Sequence, residues 1–356
     1  MNARFARFPF ALATLTALTV NVATARAAAA ADPAAVTTEF LADNPPTVTS
    51  HASTIVGTPD GLLAAWFGGT REAATDVSIW LARNPGTGWT APVEIANGVD
   101  AGRQVRYACW NPVLFRRGNG DLLLFYKVGP NPASWWGMVR LSKDDGKSWS
   151  EVRRLPSGIV GPVRNKPVEL GDGLLLCGSS LEDKGWRVHV ETCHDPFGSW
   201  ERSPDLNAAY TLAAIQPTIL RHSETSIQLL CRTREGWITE CWTANGGASW
   251  GPMTRTTLPN PNSAIDSVVL RDGRFLLVYN PSREDRHTLD VALSLDGRHW
   301  QTAAQLENEA DSEFSYPAMI QTDDGSVHVT YTWKRQRIKH VVLDVTKFNL
   351  RPLPGN

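Results

Sequence analysis

The chain has 356 residues, of which 42% are hydrophobic and 20% charged, and its formal net charge at pH 7 is −1. This composition is that of an ordinary globular protein with enough mass for a large hydrophobic core. The near-neutral charge and the absence of a basic stripe argue against nucleic acid as a partner.

The first 29 residues have the pattern of a secretory signal peptide. Arg4 and Arg7 flank the start of an apolar run at residues 8–22, and the Ala-Arg-Ala sequence at 25–27 provides a small-residue cleavage site. The run is too short and too rich in Thr and Ala for a membrane span, and no later stretch approaches the required length. We therefore predict a periplasmic or secreted protein with no membrane span.

Five tryptophans close short loops at a nearly constant interval. They lie at positions 89, 149, 200, 250 and 300, so the intervals are 60, 51, 50 and 50 residues. The clearest copy is Ser-Lys-Asp-Asp-Gly-Lys-Ser-Trp at 142–149, and fainter copies lie at 84–89, 195–200, 243–250 and 294–300. A period in this range indicates a propeller, a solenoid or an array. The hydroxyl and carboxylate groups can bond the loop amides while the tryptophan fills the loop, so we assign these aspartates a structural role.

Apolar runs of strand length recur once in each repeat. They lie at 61–66, 121–126, 173–177, 227–231, 274–279 and 326–331. Long helical periodicity is absent, and the many Gly and Pro residues suit short strands joined by turns. We predict an all-β, six-bladed β-propeller over residues 37–347, followed by a C-terminal tail at 348–356. The sixth repeat has no Trp-closed loop, so residues 37–41 are expected to supply its outer strand and close the ring.

Polar and aromatic residues precede the first strand of each repeat. Innermost strands start at the central channel of a propeller, so these residues should converge on one face. They are His51, Trp110, Asn111, Asn165, Lys166, Gln216, Asp266 and Tyr316. Several are followed by proline, which stiffens the chain and removes an amide donor. Lys166, between Asn165 and Pro167, suits an anionic ligand.

The loop repeats and several neighbouring segments resemble the sialidase superfamily of BNR/Asp-box propellers. The segments are Arg71-Glu72 with Asp76, Asn280-Pro281 with Arg286, and Phe-Ser-Tyr-Pro at 314–317. Further segments at 110–115, 165–167, 259–263 and 331–333 resemble a predicted-neuraminidase branch of bacteria and plants. The resemblance spans about residues 40–345 and is more specific for fold than for activity.

This resemblance implies roles for four residues. Asp76 would be the acid/base carboxylate and Tyr316 the nucleophile. Arg232 and Arg286 would be two of three arginines that bind the substrate carboxylate, which planar guanidinium groups do bidentately. A neutral tyrosine suits an anionic substrate, which would repel a carboxylate nucleophile.

Two positions depart from the family pattern. The first arginine of the family falls here on His51, and the glutamate that activates the tyrosine falls on Gln216. Because Gln216 cannot take a proton, another base is needed, and His51, Glu72 and Asp266 are the candidates. We place the catalytic group at Asp76, Tyr316, Glu72 and His51. The substrate-binding group comprises Arg71, Trp110, Asn111, Lys166, Gln216, Arg232, Asp266 and Arg286.

Three functions remain open from the sequence. The first is a sialidase-like exo-glycoside hydrolase acting on an acidic oligosaccharide or polysaccharide. The second is a polysaccharide lyase acting on uronic-acid chains, which needs a neutralised uronate and a His or Tyr to move the α-proton. The third is a non-catalytic glycan-binding propeller. No metal or cofactor is expected, and the protein is expected to be a monomer.

The five cysteines are an odd number for an exported chain, so at most two disulfide bridges are possible. Cys231 and Cys241 flank a predicted hairpin, and Cys177 and Cys193 could face each other across strands. Their spacing does not match a metal site.

Overall fold

The computed structural model describes residues 32–100, 102–208 and 210–354. The predicted signal peptide at 1–29 lies outside these residues. Within the described part of the chain, no helix is long and apolar enough to cross a membrane.

Six four-stranded antiparallel sheets follow one another along the chain. Strand β1 (Ala35–Phe40) comes first. Blade 1 contains β2 (Thr49–Thr58), β3 (Gly61–Gly69), β4 (Ser78–Asn84) and β5 (Val93–Ala96), and a small hairpin, β6 (Val99–Asp100) with β7 (Val105–Arg106), follows it. Blade 2 contains β8 (Ala108–Arg116), β9 (Leu122–Gly129), β10 (Trp136–Ser142) and β11 (Arg153–Arg154). Blade 3 contains β12 (Val168–Glu169), β13 (Leu175–Leu181), β14 (Arg187–Cys193) and β15 (Glu201–Arg202).

The remaining three blades complete the ring. Blade 4 contains β16 (Ala214–Arg221), β17 (Ile227–Thr233), β18 (Trp237–Thr243) and β19 (Thr254–Pro259). Blade 5 contains β20 (Asp266–Val269), β21 (Phe275–Tyr279), β22 (Thr288–Ser294) and β23 (Trp300–Asn308). Blade 6 contains β24 (Phe314–Gln321), β25 (Val327–Trp333) and β26 (Arg337–Leu343), and a short 3-10 helix, Val345–Lys347, follows. The predicted six-bladed propeller is confirmed, and the six apolar runs are the second strands of the blades.

The N-terminal strand closes the ring. β1 pairs antiparallel with β26, with Glu39 opposite His340 and Phe40 opposite Lys339, so the fourth strand of blade 6 comes from the start of the described chain. The expectation that residues 37–41 supply this strand is confirmed. The hydrophobic core lies between neighbouring blades. In the cluster that joins blades 1 and 2, for example, buried Leu63 and Phe67 pack with Leu124, and each such side chain contributes about 1.5–3 kcal/mol.

The Trp-closed loops are stabilised by their own side chains. In the copy that follows β10, the Ser142 hydroxyl donates to Asp144 Oδ1 at 2.7 Å, and the Ser148 amide donates to the same oxygen at 2.8 Å. Bonds from Ser148 hold the pKa of the Asp144 carboxyl well below its usual range. The Asp144 carboxylate therefore serves its own loop.

The innermost strands of blades 1, 2, 4 and 6 each contain a β-bulge near the start. The strand pairing shifts between His51 and Thr54, Trp110 and Val113, Ile215 and Thr218, and Ser315 and Ala318. At each bulge one non-glycine residue has positive φ: Ala52 at 56°, Asn111 at 37°, Gln216 at 56° and Tyr316 at 52°. We expected the channel residues just before these strands, but in these blades they lie inside them. A bulge leaves one residue out of the ladder and redirects its side chain.

All five cysteines are buried free thiols, so neither possible bridge is present. Strand register explains this. Cys177 lies opposite Glu191 rather than Cys193, and Cys231 lies opposite Thr239 rather than Cys241. Burial raises the pKa of the Cys193 thiol to about 12 and that of Cys241 to about 11.

A hydrogen-bonded chain of buried and half-buried side chains spans the ring closure. Glu39 Oε1 of β1 lies 2.9 Å from His340 Nδ1 of β26, and His340 Nε2 lies 3.0 Å from His328 Nδ1 of β25. Trp89 Nε1, from the loop after β4, donates to the same Glu39 oxygen at 2.9 Å. The closure therefore depends on two histidines that are nearly inaccessible to solvent.

We predict that this closure is sensitive to acid. Burial and then the charge of His340 lower the pKa of His328 to about 4 from its usual 6.5. Between about pH 6.5 and pH 4 the unfolded chain therefore binds a proton at this histidine, whereas the folded protein does not. The free energy of unfolding is highest above about pH 6.5 and falls progressively towards pH 4, by at most about 3 kcal/mol. Urea denaturation of the parent and of His328→Gln at several pH values measures it. Equal losses in both proteins would contradict the assignment.

Candidate active site

Tyr316 lies at the centre of a group of cationic and aromatic side chains. It is the positive-φ residue of the β24 bulge, and its ring is half-buried. The Tyr316 hydroxyl oxygen accepts a hydrogen bond of 2.8 Å from Arg232 Nη1. The His51 ring packs against it, with 4.2 Å between ring centroids and a tilt of 48°. Two predicted site residues from opposite ends of the sequence therefore contact each other.

His51 is a buried, neutral histidine. It is 3% exposed, and Nδ1 lies 2.9 Å from the hydroxyl of Thr332, which also accepts from the Ala52 amide. His51 Nε2 is buried with no protein partner. Burial lowers the pKa of His51 well below its usual value, and nearby guanidinium charges lower it further, in the order Arg335, Arg286, Arg164 and Arg232. His51 therefore remains unprotonated among four arginines.

Arg232, in β17, is fixed by three residues. Its Nη1 donates to Gln216 Oε1 at 3.1 Å as well as to Tyr316, and its Nη2 and Nε donate to Asn262, with 2.7 Å to the carbonyl and 3.1 Å to Oδ1. Gln216 thus accepts a hydrogen bond from the arginine. The side chain of Gln216 is a neutral partner that does not cancel the charge of Arg232.

Two further arginines share one carboxylate. Arg286 Nη1 lies 3.0 Å from Glu313 Oε1, and Arg335 Nε lies 2.8 Å from Glu313 Oε2. Burial opposes ionisation of Glu313, but the bond and charge of Arg335, with Ser315 and Arg286, outweigh it and lower its pKa. The Glu313 carboxylate thus holds two guanidinium groups side by side, and Arg335 also pairs with Glu72.

Arg335 was not predicted from the sequence. It lies in the turn between β25 and β26, where Lys334 and Arg335 have φ of 52° and 55°, and its carbonyl accepts from the Ser50 amide at 3.0 Å. The turn therefore places Arg335 beside the residue that precedes His51. The sequence departs from the family pattern at His51, and Arg335 supplies a guanidinium group next to it from another blade.

Arg164 was also not predicted from the sequence, and its side chain binds the backbone at Tyr316. It is 1% exposed, and its Nη2 donates to the carbonyls of Tyr316 at 2.6 Å and Pro317 at 2.7 Å. Burial lowers the pKa of Arg164 to about 10, so it is a cation at neutral pH. Its position directly before Asn165 and Lys166, two predicted channel residues, was the available signal.

Arg71, Glu72 and Asp76 lie on the exposed loop between β3 and β4. The Asp76 carboxylate accepts from the Thr70 amide and hydroxyl, both at 3.0 Å. Glu72 forms an ion pair with Arg335. Arg71 is exposed, and its carbonyl accepts from the Ala74 amide at 3.1 Å. The loop that carries the predicted acid is therefore joined through Glu72 to the arginine cluster.

Trp110 and Asn111 are interior residues of blade 2. Trp110 is 4% exposed, its Nε1 donates to the Gly129 carbonyl at 2.9 Å, and its ring packs against Trp135 with 5.9 Å between centroids. Asn111, also 4% exposed, is the positive-φ residue of the bulge. The structure gives Trp110 a packing role, and the signal for burial was its position within an apolar run.

Lys166 and Asp266 form a second group. Their charged atoms are 3.9 Å apart, while Asp266 accepts from the Thr218 hydroxyl at 3.1 Å and from the Met319 amide at 2.8 Å. Burial lowers the pKa of Lys166. Both residues line a cavity of about 410 Å³ that also includes Phe115. Asp266 thus ties three inner strands together and is occupied by these bonds.

The arrangement around Tyr316 is suited to an anionic ligand. Arg232 donates to the Tyr316 hydroxyl, and Arg286 donates to the same Asn262 carbonyl as Arg232. The charges of Arg286 and Arg335 also act on the neutral imidazole of His51. Guanidinium groups bind carboxylates with paired hydrogen bonds. Within the described residues, no cluster of three or more His, Cys, Asp or Glu side chains is arranged to hold a metal ion.

We predict that Arg164→Gln strongly destabilises the protein. The change leaves the Tyr316 and Pro317 carbonyls without their buried cationic donor and should cost about 3 kcal/mol of unfolding free energy. Arg153→Gln is the matched control because Arg153 also donates to a carbonyl, that of Phe197 at 2.9 Å, but in an exposed position. Urea denaturation should show less than about 1 kcal/mol for the control. Similar losses in both variants would contradict a special role for Arg164.

Comparisons with known proteins agree with this architecture. A profile of the BNR repeat-like domain matches residues 60–329. A protein of unknown function from Dyadobacter fermentans has 16% identity and a TM-score of 0.72, covering 88% of this chain and 99% of that one. A mutant of the NanB sialidase from Streptococcus pneumoniae has 11% identity and a TM-score of 0.69, covering 85% of this chain and 69% of that one.

The structure is also similar to a glycosidase that is not a sialidase. An α-L-arabinanase from Penicillium chrysogenum, in complex with arabinobiose, has 17% identity and a TM-score of 0.66, covering 89% of this chain and 100% of that one. No curated protein matches the chain in sequence. At these identities the likeness shows the fold, which sialidases and an arabinanase share. Because the profile match covers most of the sequence, the chain belongs to the BNR repeat-like domain family and has the propeller fold of sialidase-like glycosidases.

Proposed function

We propose that the protein is an exo-acting glycoside hydrolase that acts on an acidic glycan. The observation that carries this proposal is the hydrogen bond from Arg232 to the Tyr316 hydroxyl, with Arg286 on the same Asn262 carbonyl as Arg232 and the Arg335 charge acting on His51. In this proposal the three guanidinium groups bind the carboxylate of the substrate sugar. The anomeric carbon is then presented to the phenolic oxygen, a neutral nucleophile suited to an anionic substrate.

The Tyr316 proton needs an acceptor, and in this proposal it is His51, whose ring packs against that of Tyr316. Gln216 accepts from Arg232 and has no basic site, whereas His51 is neutral, contacts the Tyr316 ring and has a free ring nitrogen. In the first step the Tyr316 oxygen bonds to the anomeric carbon while its proton passes to His51. The bond to the leaving oxygen breaks, and Asp76 protonates that oxygen. In the second step water, deprotonated by Asp76, releases the sugar from Tyr316 and His51 returns the proton.

Two structural features support Asp76 as the acid. It lies on an exposed loop at the same end of the ring as the arginine cluster, and the Glu72–Arg335 pair connects that loop to the cluster. An exposed carboxyl above the site and a tyrosine rising from the inner strand would approach a bound sugar from two sides. The signal-peptide pattern at 1–29 supports the further proposal that the enzyme meets its glycan outside the cytoplasm.

A second candidate is a lyase that acts on uronic-acid chains. The substitution of Gln216 for a glutamate base and the contact between neutral His51 and Tyr316 both favour it. In an elimination the arginines would neutralise the uronate, and His51 or Tyr316 would remove the α-proton. The product would carry a new carbon–carbon double bond that absorbs in the ultraviolet.

We predict that a panel of acidic glycans separates these functions. Hydrolysis releases reducing sugar without new ultraviolet absorbance, and this is the expected result. New absorbance would establish elimination instead, and retention without turnover would establish a glycan-binding protein. Arg286→Ala is the control for dependence on the arginine cluster and should abolish turnover of every carboxylate-bearing substrate.

We predict that Asp76→Ala and Tyr316→Phe fail differently. Asp76→Ala should lose activity on poor leaving groups by at least about 100-fold, the usual contribution of a general acid, and should be partly rescued by an activated aryl leaving group. Tyr316→Phe should lose activity on both substrate types because no covalent bond to the sugar can form. Steady-state kinetics on a natural-type and an aryl substrate measure both. Near-normal turnover by Tyr316→Phe would exclude the tyrosine nucleophile.

A further inference from the structure

The cavity of about 410 Å³ that Lys166 and Asp266 line follows the innermost strands away from Tyr316. In β24 the lining residues are 319–321, at the end of the strand, whereas Tyr316 lies near its start. In β16 the lining residues likewise come after Gln216. We call this space the channel cavity. Its volume is within the range of small-molecule binding sites.

The wall of the channel cavity is largely apolar. The innermost strands of blades 2 to 6 each contribute an apolar side chain at a similar position, and these are Phe115, Val168, Ile219, Val268 and Ile320. All of them except Ile219 are only half-buried. The ring of apolar side chains would lose further contact with water if an apolar group filled the cavity.

The ammonium group of Lys166 lines this cavity without a hydrogen-bond partner. Its Nζ lies 3.9 Å from Asp266 Oδ2, which is too long for a hydrogen bond, and Asp266 accepts instead from a hydroxyl and a backbone amide. The other charged residues of the wall pair with groups outside it, Arg221 with Glu224 and Glu169 with an arginine of blade 2. Within the described part of the chain, the N–H groups of Lys166 therefore have no acceptor.

The neighbours of Lys166 offset the burial of its charge only in part. Burial lowers the pKa of Lys166, and the charge of Asp266 opposes this without reversing it, while Arg164 adds to the lowering. A carboxylate in the channel cavity would accept hydrogen bonds from the ammonium and reduce the cost of its burial. The remainder of such a ligand would lie against the apolar wall.

We propose that the channel cavity is a binding site for a small molecule that has one carboxylate and an apolar body, as a medium-chain fatty acid has. The carboxylate accepts hydrogen bonds from Lys166, and the apolar body packs against the ring of side chains from blades 2 to 6. Tyr316, Arg232 and His51 are not among the described residues that line this cavity. The site is therefore separate from the candidate active site and does not rest on the proposed function.

The test measures binding of octanoate, octanol and acetate to the parent protein by titration calorimetry. Octanoate should bind as one molecule per chain. Octanol lacks the charge and acetate lacks the apolar body, so each should bind at least about tenfold more weakly. Absence of octanoate binding, or equal affinities for octanoate and octanol, would overturn the proposal.

Three variants locate the carboxylate. Lys166→Met should weaken octanoate binding by at least about tenfold. Lys147→Met is the matched control, because Lys147 also faces one aspartate, Asp60 at 2.5 Å, but in an exposed loop. Arg286→Ala changes the arginine cluster instead, and both controls should bind octanoate as the parent does. Binding that is lost in Arg286→Ala and kept in Lys166→Met would assign the carboxylate to the arginine cluster and refute the channel site.

A crystal structure of the parent protein with bromooctanoate provides a measurement that needs no variant. The anomalous signal of the bromine should lie among the apolar side chains of the channel cavity, with the carboxylate at Lys166. A bromine bound elsewhere, or none at a saturating concentration, would contradict the proposal.

Discussion

The hydrogen bonds from buried Arg164 to the Tyr316 and Pro317 carbonyls are the interaction on which the candidate site depends. A non-glycine residue with positive φ costs about 1–3 kcal/mol and persists only where its surroundings fix it. Arg164 satisfies two carbonyls of the bulge at once, and Pro317 has no amide hydrogen that would otherwise lack a partner. The bulge directs the Tyr316 side chain towards Arg232, which then holds the hydroxyl.

The same backbone bulge occurs in four blades, but its residues have different roles. The bulges at Ala52, Asn111 and Gln216 share the positive φ of Tyr316, so the fold presents one redirected residue per blade at four places. Gln216 reaches Arg232, and the bulge at Ala52 follows His51. Asn111 is instead buried within blade 2. Because the bulge repeats, the fold provides several similar positions, and the side chain at each one determines whether it belongs to the candidate site.

Much of the fold was predictable because it repeats. The tryptophan interval and the apolar second strands indicated six blades, and the missing sixth loop indicated a closing strand near residue 37. The proximity of His51, Gln216 and Tyr316 followed from their positions at innermost strands, whereas Arg232, in the second strand β17, was assigned from the family resemblance. Arg335 and Arg164 were not predicted, because a turn and an irregular loop bring them in, and neither has a periodic signal. The buried position of Trp110 was missed because a polar neighbour and a proline suggested a channel residue.

Charge balance explains why the departures at His51 and Gln216 belong together. A glutamate at position 216 would face Arg232 and partly neutralise it, while the arginine expected at position 51 would restore the positive charge. In this chain both charges are absent, and Gln216 accepts from Arg232 without reducing its charge. Arg335 adds a guanidinium group whose charge acts on neutral His51, and it is itself paired with Glu313 and Glu72. In the proposed mechanism the acceptor of the Tyr316 proton is therefore His51, an imidazole that is neutral before the reaction, in place of a carboxylate.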